Sequence, residues 1–157
     1  MKTPRTFTTR LRVRYAETDQ MGVVYHANYL VWFEVGRVEL LREMGFTYQQ
    51  MEAEEGCVMP VAEVRCRYRA PARYDDLLEL ETRLIAIRGP VLKFAYKLRR
   101  PKTDSSTDPD TAPNAYSNGA PALLLAEAVT THVVVDRSLK MRPLPEAYAA
   151  AMRAILA

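Results

Sequence analysis

The chain has 157 residues, of which 48% are hydrophobic and 26% charged, with a formal net charge of +3. That length suits a single domain over residues 1–157, and the balance excludes a disordered chain, a collagen and a disulfide scaffold. The longest apolar runs, such as residues 120–126 and 133–135, are far shorter than the roughly 20 residues of a membrane-spanning helix, so no membrane insertion is expected, and the charge is too small and dispersed to point to nucleic acid.

The first seven residues carry charge but no following apolar stretch, so no signal peptide is expected. The two cysteines, Cys57 and Cys66, form no C-x-x-C pair, which fits a reduced, cytoplasmic protein. Two cysteines and two histidines, His26 and His132, make a metal site an unpromising reading.

Residues 7–15 alternate apolar and polar and predict a strand with one buried face, Phe7 to Tyr15, and one basic face. Glu17-Thr18-Asp19-Gln20-Met21-Gly22 breaks that period and reads as a loop, with Glu17 exposed. Tyr29, Trp32, Phe33, Gly36, Leu40, Leu41 and Met44 then recur at three- and four-residue spacing, which predicts a helix over residues 28–44. Asn28 is its expected N-cap and Gly45 its C′ residue. Gly36 lies on the apolar stripe, where a glycine costs about 1 kcal/mol against alanine; close approach to a sheet would explain it. Glu34 and Arg37 are spaced for a local ion pair.

A short second helix begins at Thr47, with Thr47 and Gln50 as a capping box, Phe46 and Met51 as a staple, and Gly56 at its end. Four strands follow. The first has Ala62, Val64, Cys66 and Tyr68 on its apolar side; the second covers residues 78–87. A turn at Arg88-Gly89-Pro90 leads to the third, with Leu92, Phe94, Tyr96 and Leu98 inward; the last covers residues 123–135 and places His132 in a structural setting. Residues 101–121 hold four of the ten prolines and many Ser, Thr, Asn and Asp, which reads as an inserted, solvated loop. Pro145, Leu144, Tyr148, Met152 and Ile155 predict a C-terminal helix. The order β-α-α-β-β-β-β-α is that of an α+β fold, one antiparallel sheet on one long helix, with an edge and a face left to hide in a dimer.

The chemistry concentrates in the segment Tyr15 to Tyr29. An aspartate, Asp19, sits in a glycine-containing loop that runs straight into a helix N-terminus. Free N–H groups there can hold an oxyanion while the carboxylate serves as nucleophile or base. The plainer reading is that Asp19 is a turn former. Tyr25, Tyr29, Trp32 and Phe33 fit either a substrate pocket or simple core.

Arg14-Tyr15, Thr18-Asp19, Gly22-Val23-Val24-Tyr25, Asn28-Tyr29, Phe33-Glu34 and Arg37, with Tyr68-Arg69-Ala70-Pro71-Ala72 and Pro143-Leu144-Pro145, resemble the hotdog-fold acyl-CoA thioesterases of the 4-hydroxybenzoyl-CoA and YbgC type. The loop at residues 101–121 departs from that pattern, whose corresponding hairpin is short. The resemblance implies a five-stranded antiparallel sheet wrapped around one long helix, with a C-terminal helix. It implies hydrolysis of an acyl-CoA thioester, or of an acyl carrier protein thioester, with no cofactor and no metal. It makes Asp19 catalytic, and Gly22, Tyr25, His26 and Asn28 the oxyanion and substrate-binding segment, with the His26 N–H polarising the carbonyl. It implies coenzyme A contacts from Arg88 foremost, with Lys93, Arg67 and Arg69 as further candidates, and a homodimer assembled into a homotetramer. An ordinary aspartate ionises near pH 3.9 and is a weak base at about pH 7, which favours the nucleophilic route. Two other readings share the fold: a hydratase or dehydratase using His26, and a non-catalytic acyl-CoA binding protein.

Overall fold

The computed structural model describes residues 5–101 and 122–156. Its main sheet has five antiparallel strands in the order β1-β4-β5-β6-β3: β1 Phe7–Arg12, β3 Val61–Tyr68, β4 Leu77–Arg88, β5 Val91–Arg100 and β6 Leu123–Val133. The long helix α1 (Asn28–Glu43) lies on one face of this sheet. α2 is Tyr48–Glu55 and α3 is Glu146–Leu156. This is the α+β order that the sequence predicts, in the hotdog arrangement that the resemblance implies. Two short strands, β2 (Cys57–Val58) and β7 (Val135–Asp136), pair antiparallel. They are too brief to leave a period in the sequence, and β7 is the tail of the predicted last strand, which breaks from the main sheet after Val133. The expected inserted loop lies outside the described residues except for Pro101.

The period-two pattern is obeyed where two neighbours flank a strand. Leu78, Leu80, Thr82 and Leu84 of β4 and Leu92, Phe94, Tyr96 and Leu98 of β5 are all buried beneath α1. From α1, Tyr29, Trp32, Phe33, Gly36, Arg37, Leu40 and Leu41 face them, and Phe33 stacks on Tyr96 at 4.7 Å between ring centres. Gly36 is the close approach. A Cβ there would collide with Thr82 Oγ1 and lie 2.7 Å from Leu80 Cδ2. The capping box of α2 forms as predicted from Thr47 and Gln50, and Gly56 ends the helix at φ +59°. α3 buries Tyr148, Ala149, Met152 and Ile155.

Five expectations are corrected. β1 stops at Arg12, because Val13 N–H donates to Asp76 O and the chain then enters a 3₁₀ turn at Tyr15–Glu17; Tyr15 is exposed. Glu17 is buried, with 5% of its surface exposed. Asn28 is not the N-cap of α1 but its first residue, its side chain turned to the Glu17 carbonyl instead. Val64 and Tyr68 of β3 are exposed and Cys66 half-buried, because β3 is an edge strand at the end of the sheet. Glu34 and Arg37 form no ion pair. Arg37 turns inward, donating from Nε to the Tyr48 hydroxyl (3.4 Å) and from Nη1 to the Tyr96 hydroxyl (3.3 Å). The Tyr96 hydroxyl lies 2.9 Å from Thr130 Oγ1, which lies 2.9 Å from His132 Nε2. His132 is wholly buried, as its strand position predicts.

Candidate active site

The loop before α1 is built by its own backbone. Asp19 N–H donates to Val23 O (2.8 Å) and Gly22 N–H to Asp19 O (3.0 Å). The turn needs a residue at φ +74°, which Gly22 supplies. Asp19 Oδ1 accepts the Met21 N–H at 2.8 Å, an Asx turn of the kind that favours aspartate. The turn-former reading therefore holds for one oxygen. Among the described residues no hydrogen bond engages the other, Oδ2.

Glu17 fastens this loop to the helix. Its carbonyl accepts both the Tyr25 N–H (2.9 Å) and Asn28 Nδ2 (2.8 Å). Its carboxylate accepts Trp32 Nε1 (3.0 Å), Arg14 N–H (2.8 Å) and Arg14 Nη2 (3.0 Å). Burial alone would raise the pKa of Glu17. The Arg14 and Trp32 hydrogen bonds and the Arg14 charge outweigh it, so the pKa lies below the ordinary glutamate value.

A second brace comes from β3 and the segment after it. Val24 N–H donates to Ala72 O (2.8 Å), and Ala72 N–H donates to the Tyr29 hydroxyl (3.1 Å). The Tyr68 hydroxyl donates to the His26 carbonyl at 2.9 Å. Desolvation pushes the Tyr68 pKa up to about 12, aided by Cys66 beside it, so the hydroxyl keeps its proton at neutral pH. The His26 carbonyl is held, and the amides on either side of it are unengaged: among the described residues no hydrogen bond uses the His26 or Ala27 N–H. These are the first amides of the helix start, where the partial positive charge of α1 concentrates.

Asp19, Met21, Val23, Val24, His26, Tyr29 and residues 68–71 enclose a cleft of about 330 Å³. Of the residues singled out from sequence, Asp19, His26, Tyr29 and Arg69 line it together. Gly22 shapes the turn, with its carbonyl 3.4 Å from Arg73 Nη1. Tyr25 is exposed, its ring 4.4 Å from that of His26. Asn28 serves the Glu17 carbonyl. Arg67 lines a different cleft. Arg88 is exposed at the β4–β5 hairpin, and Lys93 is half-buried on β5; neither lines the cleft of its own chain. Trp32 and Phe33 are core, whereas Tyr29 is buried and also lines the cleft. Sequence reasoning missed Glu17 and Tyr68. A carboxylate fifteen residues before a tryptophan carries no spacing signal, and Tyr68 reads as strand core.

A carboxylate and a row of free helix amides on one apolar cleft suit attack on a carbonyl that becomes an oxyanion. Comparison with known proteins agrees. The family model of the thioesterase-like superfamily matches residues 13–152. The chain belongs to that superfamily. The putative acyl-CoA thioesterase YneP of Bacillus subtilis is 42% identical over 96 residues, 61% of this chain and 69% of that protein. The acyl-CoA thioester hydrolase YbgC of Escherichia coli is 41% identical over 88 residues, 56% of this chain and 65% of that protein, just under two thirds. A hypothetical protein from Thermus thermophilus has a solved structure that matches with a TM-score of 0.78 and 34% identity, over 96% of this chain and 98% of that one. The structure of 4-hydroxybenzoyl CoA thioesterase from Pseudomonas sp. strain CBS-3 matches with a TM-score of 0.76 and 20% identity, over 94% and 99%, and shows the shared fold.

Proposed function

We propose that this chain hydrolyses acyl-coenzyme A thioesters to a free acid and coenzyme A, with Asp19 as the reacting carboxylate and the His26 amide as the oxyanion donor. The observation that carries the reading is the free N–H of His26, at the start of α1, on the same cleft as an aspartate with one unengaged oxygen. Two routes use these groups. In one, Asp19 attacks the carbonyl carbon, the thiolate leaves and takes a proton, and water opens the resulting anhydride. In the other, Asp19 takes a proton from the water that attacks. In both, negative charge collects on the carbonyl oxygen at the helix start, where the N–H groups and the helix dipole are already aimed.

Arg69, which lines the cleft and pairs with Glu127, meets a phosphate of the coenzyme in this reading. Arg88, Lys93 and Arg67 reach the substrate from the partner in a dimer. The support for a dimer is the edge of β3, where Val61, Val64 and Tyr68 lie exposed and, among the described residues, no strand lies beside the outer backbone; two dimers form the tetramer of a cytoplasmic enzyme. No helix among the described residues is long and apolar enough to cross a membrane. His26 also lines the cleft, which keeps a hydratase as the second reading.

The test is thiol release from acyl-CoAs ranging from acetyl to palmitoyl, with benzoyl and hydroxybenzoyl types and an acyl carrier protein thioester. Release from at least one member is expected. No release from any, with hydration of an enoyl-CoA that is lost in His26→Gln, would replace the hydrolase by the hydratase. Tight binding of an acyl-CoA left intact would replace it by a binding protein.

A further inference from the structure

The face of the sheet away from α1 carries its own cleft, of about 370 Å³, floored by Ala95 and Val129 and walled by Arg65, Arg67, Arg83 and Lys97, with the carboxylate Glu127 also in its lining. It shares no lining residue with the Asp19 cleft. The strand register explains it. Arg65 of β3 pairs with Val129, Val129 with Ala95, and Ala95 with Arg83 of β4. The two arginines thus end one row across four strands, about 14 Å apart at the backbone, with two small residues between them. In the next row Arg67 pairs with Glu127 and Glu127 with Lys97. Same-face positions along a strand are about 7 Å apart, so four long cationic side chains surround one small-residue floor.

The acids of this face do not balance them. Glu63 is paired with Arg65 (2.8 Å), Glu79 with Arg10 (3.4 Å), Glu81 with Arg99 (3.1 Å) and Glu127 with Arg69 (3.0 Å). Among the described residues no hydrogen bond or ion pair engages Arg67, Arg83 or Lys97. Three cations facing one slot repel one another unless an anion joins them.

We infer that this slot is a binding site for an anion bearing two linked phosphate groups. One phosphate monoester carries about −1.5 to −2 at neutral pH and leaves part of the charge of three unpaired cations unmatched; a diphosphate supplies the rest. The guanidinium fork donates to phosphate oxygens two at a time, so the unpaired Arg67 and Arg83, on opposite sides of the floor, can hold the two ends of such a group with Lys97 beside them. The test of this site does not depend on the hydrolytic reading, because its occupancy is read without turnover.

The experiment is calorimetric titration of the full chain with inorganic diphosphate, run for wild type, for Arg83→Ser/Lys97→Ser and for Asp19→Asn. Both variants are first compared with wild type by circular dichroism and thermal melting, and sedimentation is measured throughout. Expected are one saturable site per chain, at least tenfold weaker binding in the double variant, unchanged binding in Asp19→Asn, and orthophosphate at least tenfold weaker than diphosphate. Displacement by desulfo-coenzyme A would identify the group as the coenzyme's own diphosphate; failure to displace it would identify a separate phosphorylated ligand. Both support the slot. Absence of saturable binding, affinity within twofold in the double variant, or orthophosphate binding as tightly as diphosphate would each overturn the inference. So would a double variant that changes sedimentation and leaves diphosphate affinity intact, which would give this face to a second copy of the chain.

Discussion

At the head of α1 the polar groups face an open cleft with bonding capacity to spare, whereas further along the same helix they are buried and bonded to one another. Among the described residues, nothing engages the His26 and Ala27 amides or one oxygen of Asp19 at the head. In the middle, Arg37, Tyr96, Thr130 and His132 form a continuous buried chain. A buried polar group left without a partner costs stability, so a core polar chain is tolerated when its members satisfy each other. An exposed cleft has water to fill its free valences and can exchange that water for a substrate. The two histidines show the contrast directly. His26 is exposed at the cleft, while His132 is sealed in, with burial and the nearby Arg37 charge pushing its pKa down to about 4.

The largest expected effect breaks the middle. Because the fold holds His132 neutral, the unfolded chain binds more protons between pH 6.5 and about 4. Stability is therefore full above pH 6.5 and falls as the pH drops through that window, by up to about 3 kcal/mol. Urea denaturation at a series of pH values measures this. In His132→Gln the slope between pH 6.5 and 4.5 should vanish; an unchanged slope would place the titrating group elsewhere.

Glu17 joins the two regions, since its carboxylate ties Trp32 and Arg14 to the loop that carries Asp19. Glu17→Gln should cost about 2 kcal/mol at neutral pH, the scale of a charged hydrogen bond. Its folded-state pKa is lowered, so this contribution is present above the ordinary glutamate value of 4.5 and is lost as the pH falls through the lower folded value. Wild type and variant should converge in strongly acidic buffer. A constant gap at all pH values would mean that the charge of Glu17 plays no part.

Gly36→Ala should lower stability by about 1 kcal/mol or more. The collision with Thr82 and Leu80 outweighs the gain in helix propensity. A more stable variant would show that α1 can lift from the sheet without loss. Tyr68→Phe is the smallest, and it sharpens the head alone. Loss of the bond to the His26 carbonyl should lower kcat about threefold to tenfold with KM little changed, since the bond holds the backbone next to the oxyanion amide and not the substrate. A change in KM alone would make Tyr68 a substrate contact.

The periodicity reading succeeds where neighbours enforce it. β4 and β5 have a strand on each side and a helix above, so alternation translates directly into burial. The same alternation in β3 fails because an edge strand lacks that cover, so Val64 and Tyr68 read as core and stand in solvent. The loop from Asp19 to Gly22 was legible, because a turn with positive φ needs glycine and a helix start follows. The role of Glu17 was not, since its partners Arg14 and Trp32 meet it only through folding. Arg37 misled for a related reason. Its spacing from Glu34 is that of a surface pair, but the helix stripe carries it inward to two tyrosine hydroxyls from other elements. Arg67 and Arg69 are coenzyme candidates two residues apart, yet their clefts differ: one opens on the outer face of the sheet and the other on Asp19.

The central claim is that the charge of Asp19, and not its role in the turn, performs the chemistry. Asp19→Asn keeps an oxygen for the Met21 amide and removes the charge. With the best acyl-CoA from the panel, thiol release and binding are measured on the same preparation. The account predicts thiol release lower by at least about a hundredfold, with acyl-CoA bound within about threefold of wild type. Turnover within tenfold of wild type, or turnover and binding lost together, would contradict it.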